Sequence, residues 1–229
     1  MSSASSPPRG RPPRLDRART LLTALDLLDR SGLDALTMRR LAEALDVQAG
    51  ALYRYFATKQ DLLTAMAEHM MDGVADAAGT GDGDWSEKLA ALARAMRTAL
   101  LAHRDGARVF AGTHSTGENT LGLADTIAGV MRAAGFPDDD AVRALYTVAN
   151  FTVGHTLEEQ AALQTDDGGP ADPAVLADTV AAGTYPHLKA GLPALTSADF
   201  TRLFEFGVDL LVEGLRARRR SSESGSPFG

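Results

Sequence analysis

An all-α fold is predicted by three features of the sequence. Apolar residues recur at three- and four-residue steps along most of the chain, the period of an amphipathic helix. Cap-forming Ser, Thr and Asp residues open these periodic stretches, and glycines close them. No stretch alternates polar and apolar residues between hairpin turns, as a β-sheet would require. The expected architecture is a small N-terminal unit of short helices followed by a larger helical body.

The elements follow in order. Residues 1–13 are mostly Ser, Pro, Gly and Arg, too poor in apolar groups to fold alone, so a disordered basic arm is expected there. A first helix carries Leu21, Leu22, Leu25 and Leu28 and stops at Gly32. Thr37 caps a second, short helix with Met38, Leu41 and Leu45 turned inward. After a turn at Asp46 and Val47, a third helix is expected from Ala49 to Phe56. A fourth begins near Lys59 and continues through Leu62, Leu63, Met66 and Met70 towards the GTGDGD stretch at Gly79–Asp84. Asp84 and Glu87 have the spacing of a capping box for a helix over Trp85–Leu101. Further helices are expected near Arg104–Ala111, Asn119–Ala134, Asp138–Gln164 and Pro173–Ala182, with TDDGGPADP as a loop. Thr196 is expected to cap the last helix, which runs to about Arg218 and leaves residues 219–229 as a tail. The boundaries are therefore 14–60 for the first unit and 61–218 for the body.

Composition narrows the function classes. The 229 residues are 45% apolar and 23% charged, a globular balance. With no cysteine, thiolate catalysis and cysteine-ligated metal are excluded. No apolar run has the length of a membrane span, and the N-terminus lacks the apolar block of a signal peptide, so no membrane partner and a cytoplasmic location are expected. Net charge is −7, but residues 1–60 hold ten Arg or Lys against six Asp or Glu, while the remaining residues hold thirteen against twenty-four. A basic front on an acidic body suits a polyanion at the front.

Two short helices joined by a tight turn, with apolar inner faces, describe a helix-turn-helix unit whose second helix lies in the major groove of double-stranded DNA. QAGALYRYF at the second helix fits that role. Gln48 and Ala49 stand at its start with Gly50 and Ala51, whose small size lets the backbone approach bases and phosphates. Tyr53 and Tyr55 offer hydroxyls and ring edges, Arg54 suits bidentate reading of guanine, and Lys59 and Arg39 suit phosphate. The same pattern also suits a helical hairpin packed inside a bundle. The RGRPPR stretch (Arg9–Arg14) has the chemistry of a minor-groove arm, or of a solvated tail that raises non-specific affinity.

LTMRRLAEALDVQAGALYRYFATKQDLLTAM (Leu36–Met66) resembles the DNA-binding head of the tetracycline-repressor (TetR) family. LLAHRDGARVFAGT, NFTVGHTLEEQ and FEFGVDLLVEGL resemble segments of the body in the tetracycline-repressor branch itself. The resemblance implies a homodimer whose last long helices form a four-helix bundle. Phe200, Leu203, Phe204, Gly207, Leu211 and Gly214 fall on one stripe that suits such a seam, or equally an internal core. Two heads imply a palindromic operator with half-sites about 34–36 Å apart.

The resemblance also implies a small-molecule effector bound in the body. Against the tetracycline-binding members, the histidine of the fourth helix becomes Ala75, the pair on the next helix becomes Leu92 and Met96, the magnesium-binding histidine becomes Phe110 and the glutamine becomes Thr126, while Thr113 and Glu158 remain in kind. A magnesium–tetracycline chelate is therefore not expected, and no cofactor is. Leu92, Met96, Phe110, Leu123, Ile127 and Leu145 are expected to line a largely apolar pocket, with Thr113, His114, Asn150, His155 and Glu158 as polar anchors. An aromatic or polycyclic effector suits that lining, and its binding would pivot the fourth helix and release DNA. A DNA-binding regulator controlled by a protein partner is the alternative. An enzyme has little support, because nucleophile elbow, His-x-x-x-His spacing and phosphate loop are all missing from the sequence.

Overall fold

The structure, a computed structural model, describes residues 16–80, 83–164, 172–197 and 199–224. The basic arm expected over residues 1–13 and most of the TDDGGPADP loop lie outside the described residues. Among the described residues there are twelve α-helices and no strand.

The first three helices make the head. α1 (Arg17–Ser31) starts where the Asp16 carboxylate accepts from the Arg19 N–H, and ends at Gly32, whose φ of 77° favours glycine. α2 (Met38–Ala44) is capped by the Thr37 hydroxyl, which accepts from Arg40 N–H. α3 is shorter than expected, Ala49–Leu52 rather than reaching Phe56. The chain turns over Tyr53–Tyr55, where the N–H groups of Tyr55 and Phe56 both donate to the Leu52 carbonyl. Two constraints force the turn. Phe56 is buried beneath the Arg17 guanidinium, 4.9 Å from its ring centroid, and Thr58 must be extended to cap the next helix. There Thr58 and Asp61 form a reciprocal capping box at the start of α4 (Lys59–Met70).

α4 does not reach the GTGDGD stretch. It stops at Met70, and after Gly73, with φ of 72°, a short 3-10 helix covers Val74–Ala78. In α5 (Trp85–Leu101) the Asp84 carboxylate accepts from Ser86 N–H, so the full capping box belongs to α4, not to Asp84 and Glu87. α6 (Gly106–Ala111), α7 (Glu118–Ala133), α8 (Asp138–Leu163) and α9 (Pro173–Ala182) follow near their expected places. Two helices were not anticipated, α10 (Pro186–Ala190) and α11 (Leu192–Leu195), each with a proline at its first or second position. Thr196 ends α11 instead of opening the last helix. α12 (Phe200–Ser224) starts beside Asp199, whose carboxylate accepts from Arg202 N–H, and it runs six residues into the expected tail.

One apolar cluster joins head and body. Leu28, Leu41, Leu52 and Phe56 of the head continue through Leu62 and Met66 of α4 into Leu89, Leu92 and Leu100 of α5. Each fully buried side chain of this size stabilises the fold by about 1.5–3 kcal/mol. Phe204, Val208 and Val212 of α12 close the far side. The expected seam stripe is thus divided. Phe204 points into the core, and a Cβ on Gly207 would meet the Phe151 ring at 2.2 Å, so that glycine serves packing within the chain. The outward stripe is Leu203, Phe206 and Leu210, the last two 64% and 58% exposed.

Candidate functional site

The head presents α3 and its following turn outwards. Gly50 has no atom within 4 Å of a built Cβ, and Gln48, Tyr53 and Arg54 are exposed, Tyr53 by 51%. Arg39 pairs with Glu43 one turn on along α2 (3.0 Å), and both side chains are exposed. Ala49, Ala51, Tyr55 and Lys59 are half-buried, Tyr55 packing on the head core. Lys59 sits at the start of α4, where the helix dipole disfavours a cation unless an anion is near.

The head is bolted to the body through the turn between α5 and α6. Asp105 is buried with φ of 58°, and its carboxylate accepts from Leu33 N–H (2.8 Å), Gln164 Nε2 (3.3 Å) and Arg108 (3.3 Å). Burial pushes this carboxyl up, but those donors outweigh it and hold it below its ordinary range. Arg108 also reaches Asp34 (3.1 Å), while Asp29 accepts from Arg104 N–H and pairs with His103 Nδ1 (3.0 Å). Gln160 of α8 supports the same turn from inside, donating to the Leu100 and His103 carbonyls and accepting from Ala107 N–H. On α4, Gln60 Nε2 donates to the Gly112 carbonyl (2.9 Å) at the end of α6.

Beside that joint lies a cavity of about 680 Å³ between α5, α6, α7 and α8. Met96, Phe110, Leu123, Ile127 and Leu145 supply apolar wall, and Thr113, His114 and Asn150 supply polar groups. Ser115, Thr116, Thr120, Tyr146, Val153 and Leu157 also line it. No Asp, Glu, Lys or Arg is among the lining residues. Among the described residues no cluster of three or more His, Asp or Glu has the arrangement to hold a metal ion.

A family model described as "Bacterial regulatory proteins, tetR family" matches residues 21–66, the head. A second, "Tetracyclin repressor-like, C-terminal domain", matches residues 77–219, which is most of the body. The chain belongs to the TetR family. Among TetR relatives, the class A tetracycline repressor of Escherichia coli transposon 1721 is 43% identical over 86% of this chain and 88% of its own length. A solved structure of a possible TetR family transcriptional regulator from Streptomyces coelicolor A3(2) is 76% identical, covers 88% of this chain and 99% of its own, and superimposes with a TM-score of 0.83. A TetR variant from Acinetobacter baumannii AYE in complex with minocycline is 35% identical over 90% of this chain and 99% of its own, with a TM-score of 0.70. The helix-turn-helix head of this TetR protein is accordingly a DNA-binding domain.

Three residues expected in the effector pocket lie elsewhere in this TetR body. Leu92 is fully buried in the core of α5. Glu158 is exposed on the outer side of α8. His155 faces α12, with Nε2 2.9 Å from the Phe200 carbonyl oxygen; burial lowers its pKa, partly offset by that carbonyl and by Glu159. The carboxylate near His155 is Glu159, one helical turn on, rather than Glu158. Glu159 is held by Arg97 in a two-pronged pair at 2.6 and 2.8 Å, and Arg97 also lies over the Phe204 ring. Ser115, beside His114, donates to Glu68 (2.8 Å). Tyr146, Val153 and Leu157 were missed, although Leu145, Ala149, Val153 and Leu157 repeat at four-residue steps beside Asn150.

Proposed function

We propose that this protein is a ligand-responsive transcriptional repressor: it binds a palindromic operator as a homodimer and leaves it when a small, largely apolar, aromatic or polycyclic effector fills the body cavity. The observation that carries this reading is the uncharged cavity of about 680 Å³, placed against the joint that fixes the DNA-binding head. A volume of that size suits a drug-sized polycycle. Its hydroxyl-bearing side can orient carbonyl or hydroxyl oxygens, and its apolar side can take rings. Minocycline in the A. baumannii relative supports a polycyclic occupant in general. The Phe110 ring, with no carboxylate or second imidazole in the wall, argues for a metal-free one here.

Arg54, Tyr53, Tyr55, Gln48 and the Ala49–Ala51 start of α3 read bases, and Arg39 and Lys59 hold phosphate. A cation at the start of α4 is better explained by an incoming phosphate than by helix stability. Leu203, Phe206 and Leu210 of α12 are the apolar face for the second subunit. The protein works in the cytoplasm, free or on DNA, and has no catalytic role; no helix among the described residues is long and apolar enough to cross a membrane.

The test pairs two measurements. DNase footprinting of the promoter of its own gene is expected to protect a palindrome at low salt. A thermal-shift screen of neutral polycycles is expected to find a compound that raises the melting temperature of wild type but not of Ala124→Trp, whose indole fills the cavity. A monomeric protein that protects no palindrome would overturn the proposal.

A further inference from the structure

The N-terminus of α7 is capped by a residue from another helix. Its own N-cap position is Gly117, which has no side chain to offer. The carboxylate of Glu68, on α4, takes that place. It accepts from the backbone N–H groups of Asn119 (2.5 Å) and Thr120 (3.2 Å) and from the hydroxyls of Thr120 (2.6 Å) and Ser115 (2.8 Å). The Asn119 side-chain amide returns a bond to the Glu68 carbonyl (3.1 Å). A carboxylate is well suited to these unsatisfied donors and to the positive end of the helix dipole. Gly117 makes the approach possible, since a Cβ there would lie 2.3 Å from the Glu68 carboxyl carbon. Burial opposes ionisation of Glu68, and the four donors more than compensate.

The segment that Glu68 grips is also the wall of the effector cavity. Ser115 and Thr120 line it, and the same helix adds Leu123, Ala124 and Ile127. Each hydroxyl has one proton to donate, so it can serve Glu68 or an acceptor atom inside the cavity, not both. α4 meanwhile follows the head directly, separated from the reading turn by Phe56, Ala57 and Thr58.

We infer that Glu68 is the positioning residue through which cavity occupancy reaches the DNA-binding head. In the empty protein it latches α4 to the first turn of α7. An effector oxygen that accepts the Thr120 or Ser115 hydroxyl withdraws donors from the latch, and α4 is released with the head. This rests on the cavity being the effector site, but the latch can be tested without effector or operator.

The chain has no cysteine, so paired spin labels can be placed at Asp26→Cys on α1 and Asp125→Cys on α7, both exposed, in the full-length protein. Labelled chains are diluted with unlabelled protein, and head-to-body distances are read by double electron–electron resonance. Glu68→Gln and Thr120→Val are each expected to lose the single narrow distance of the wild type. Thr120→Ser, which keeps the hydroxyl, is expected to retain it. Circular dichroism checks that each variant is folded. An unchanged distance in folded Glu68→Gln and Thr120→Val would overturn the latch, as would a Thr120→Ser variant that behaves like Thr120→Val. If instead the latch behaves as expected while the promoter footprint is absent, the repressor proposal fails and the latch stands.

Discussion

Replacing Gln160 with Leu removes a side chain that closes two helix ends at once. Leu100 is in the last turn of α5, where carbonyls lack helical partners, and Ala107 is in the first turn of α6, where N–H groups do. Gln160 Nε2 donates to the Leu100 carbonyl (3.0 Å), and its Oε1 accepts from Ala107 N–H (3.0 Å). Its third bond, to the His103 carbonyl (2.8 Å), is less critical because Gly106 N–H also donates there (2.9 Å). Gln160→Leu therefore strands two buried backbone groups, at about 1–3 kcal/mol each. Added apolar burial offsets about 1 kcal/mol, so a net loss of about 1–5 kcal/mol is expected. For a chain of this length that lowers Tm by about 2–20 °C. Far-UV circular dichroism at one fixed protein concentration measures it, since association makes Tm concentration-dependent. Gln164→Leu is the control, because Gln164 is exposed and makes one 3.3 Å bond to Asp105. Equal Tm values for Gln160→Leu and wild type, or equal losses in the two variants, would refute the reasoning.

Arg54→Ala is expected to weaken operator binding by about 1–3 kcal/mol with Tm unchanged, read by fluorescence anisotropy and thermal melting, because the side chain is exposed. Phe206→Glu places a charge on the outward stripe of α12; light scattering should show a monomer, and operator affinity should fall with it. Arg97→Met leaves Glu159 buried and uncompensated and should cost about 3–5 kcal/mol in urea unfolding, much of it recovered by adding Glu159→Leu. Asp105, with its folded pKa held below the ordinary 3.8, adds stability that is complete well above that value and disappears as pH falls through the folded pKa. Acid titration of unfolding free energy should therefore be flatter for Asp105→Asn than for wild type.

Helix existence was readable because apolar spacing is a property of the chain itself. Leu21 to Leu28 and Met96 to Leu100 announce their buried faces wherever they fold. Helix ends were less readable where two rules competed. Tyr53–Phe56 continues a helical pattern, but the Thr58–Asp61 box requires an extended residue at once, and the box wins. Thr196 was outcompeted by Asp199, the nearer cap to the apolar face of α12. In the cavity, Met96, Phe110, Thr113, His114, Leu123, Ile127, Leu145 and Asn150 were placed by the resemblance and do line it. His155 and Glu158 were assigned by their position in a resembling motif, and position in a motif does not fix the side of a long helix on which a side chain emerges. Gln160, Arg97 and Glu68 were invisible for another reason. Each is polar, each would read as surface in sequence, and each is tied down by partners 47 or more residues away.

Whether filling the cavity moves the head is a question of linkage, and one titration decides it. A labelled fragment carrying the footprinted operator is titrated with protein, with and without a neutral polycycle that stabilises wild type but not Ala124→Trp. The compound should weaken operator affinity by a factor within about 5–150, and operator should weaken compound binding by the same factor. An operator affinity indifferent to a bound compound would mean that cavity and head are uncoupled.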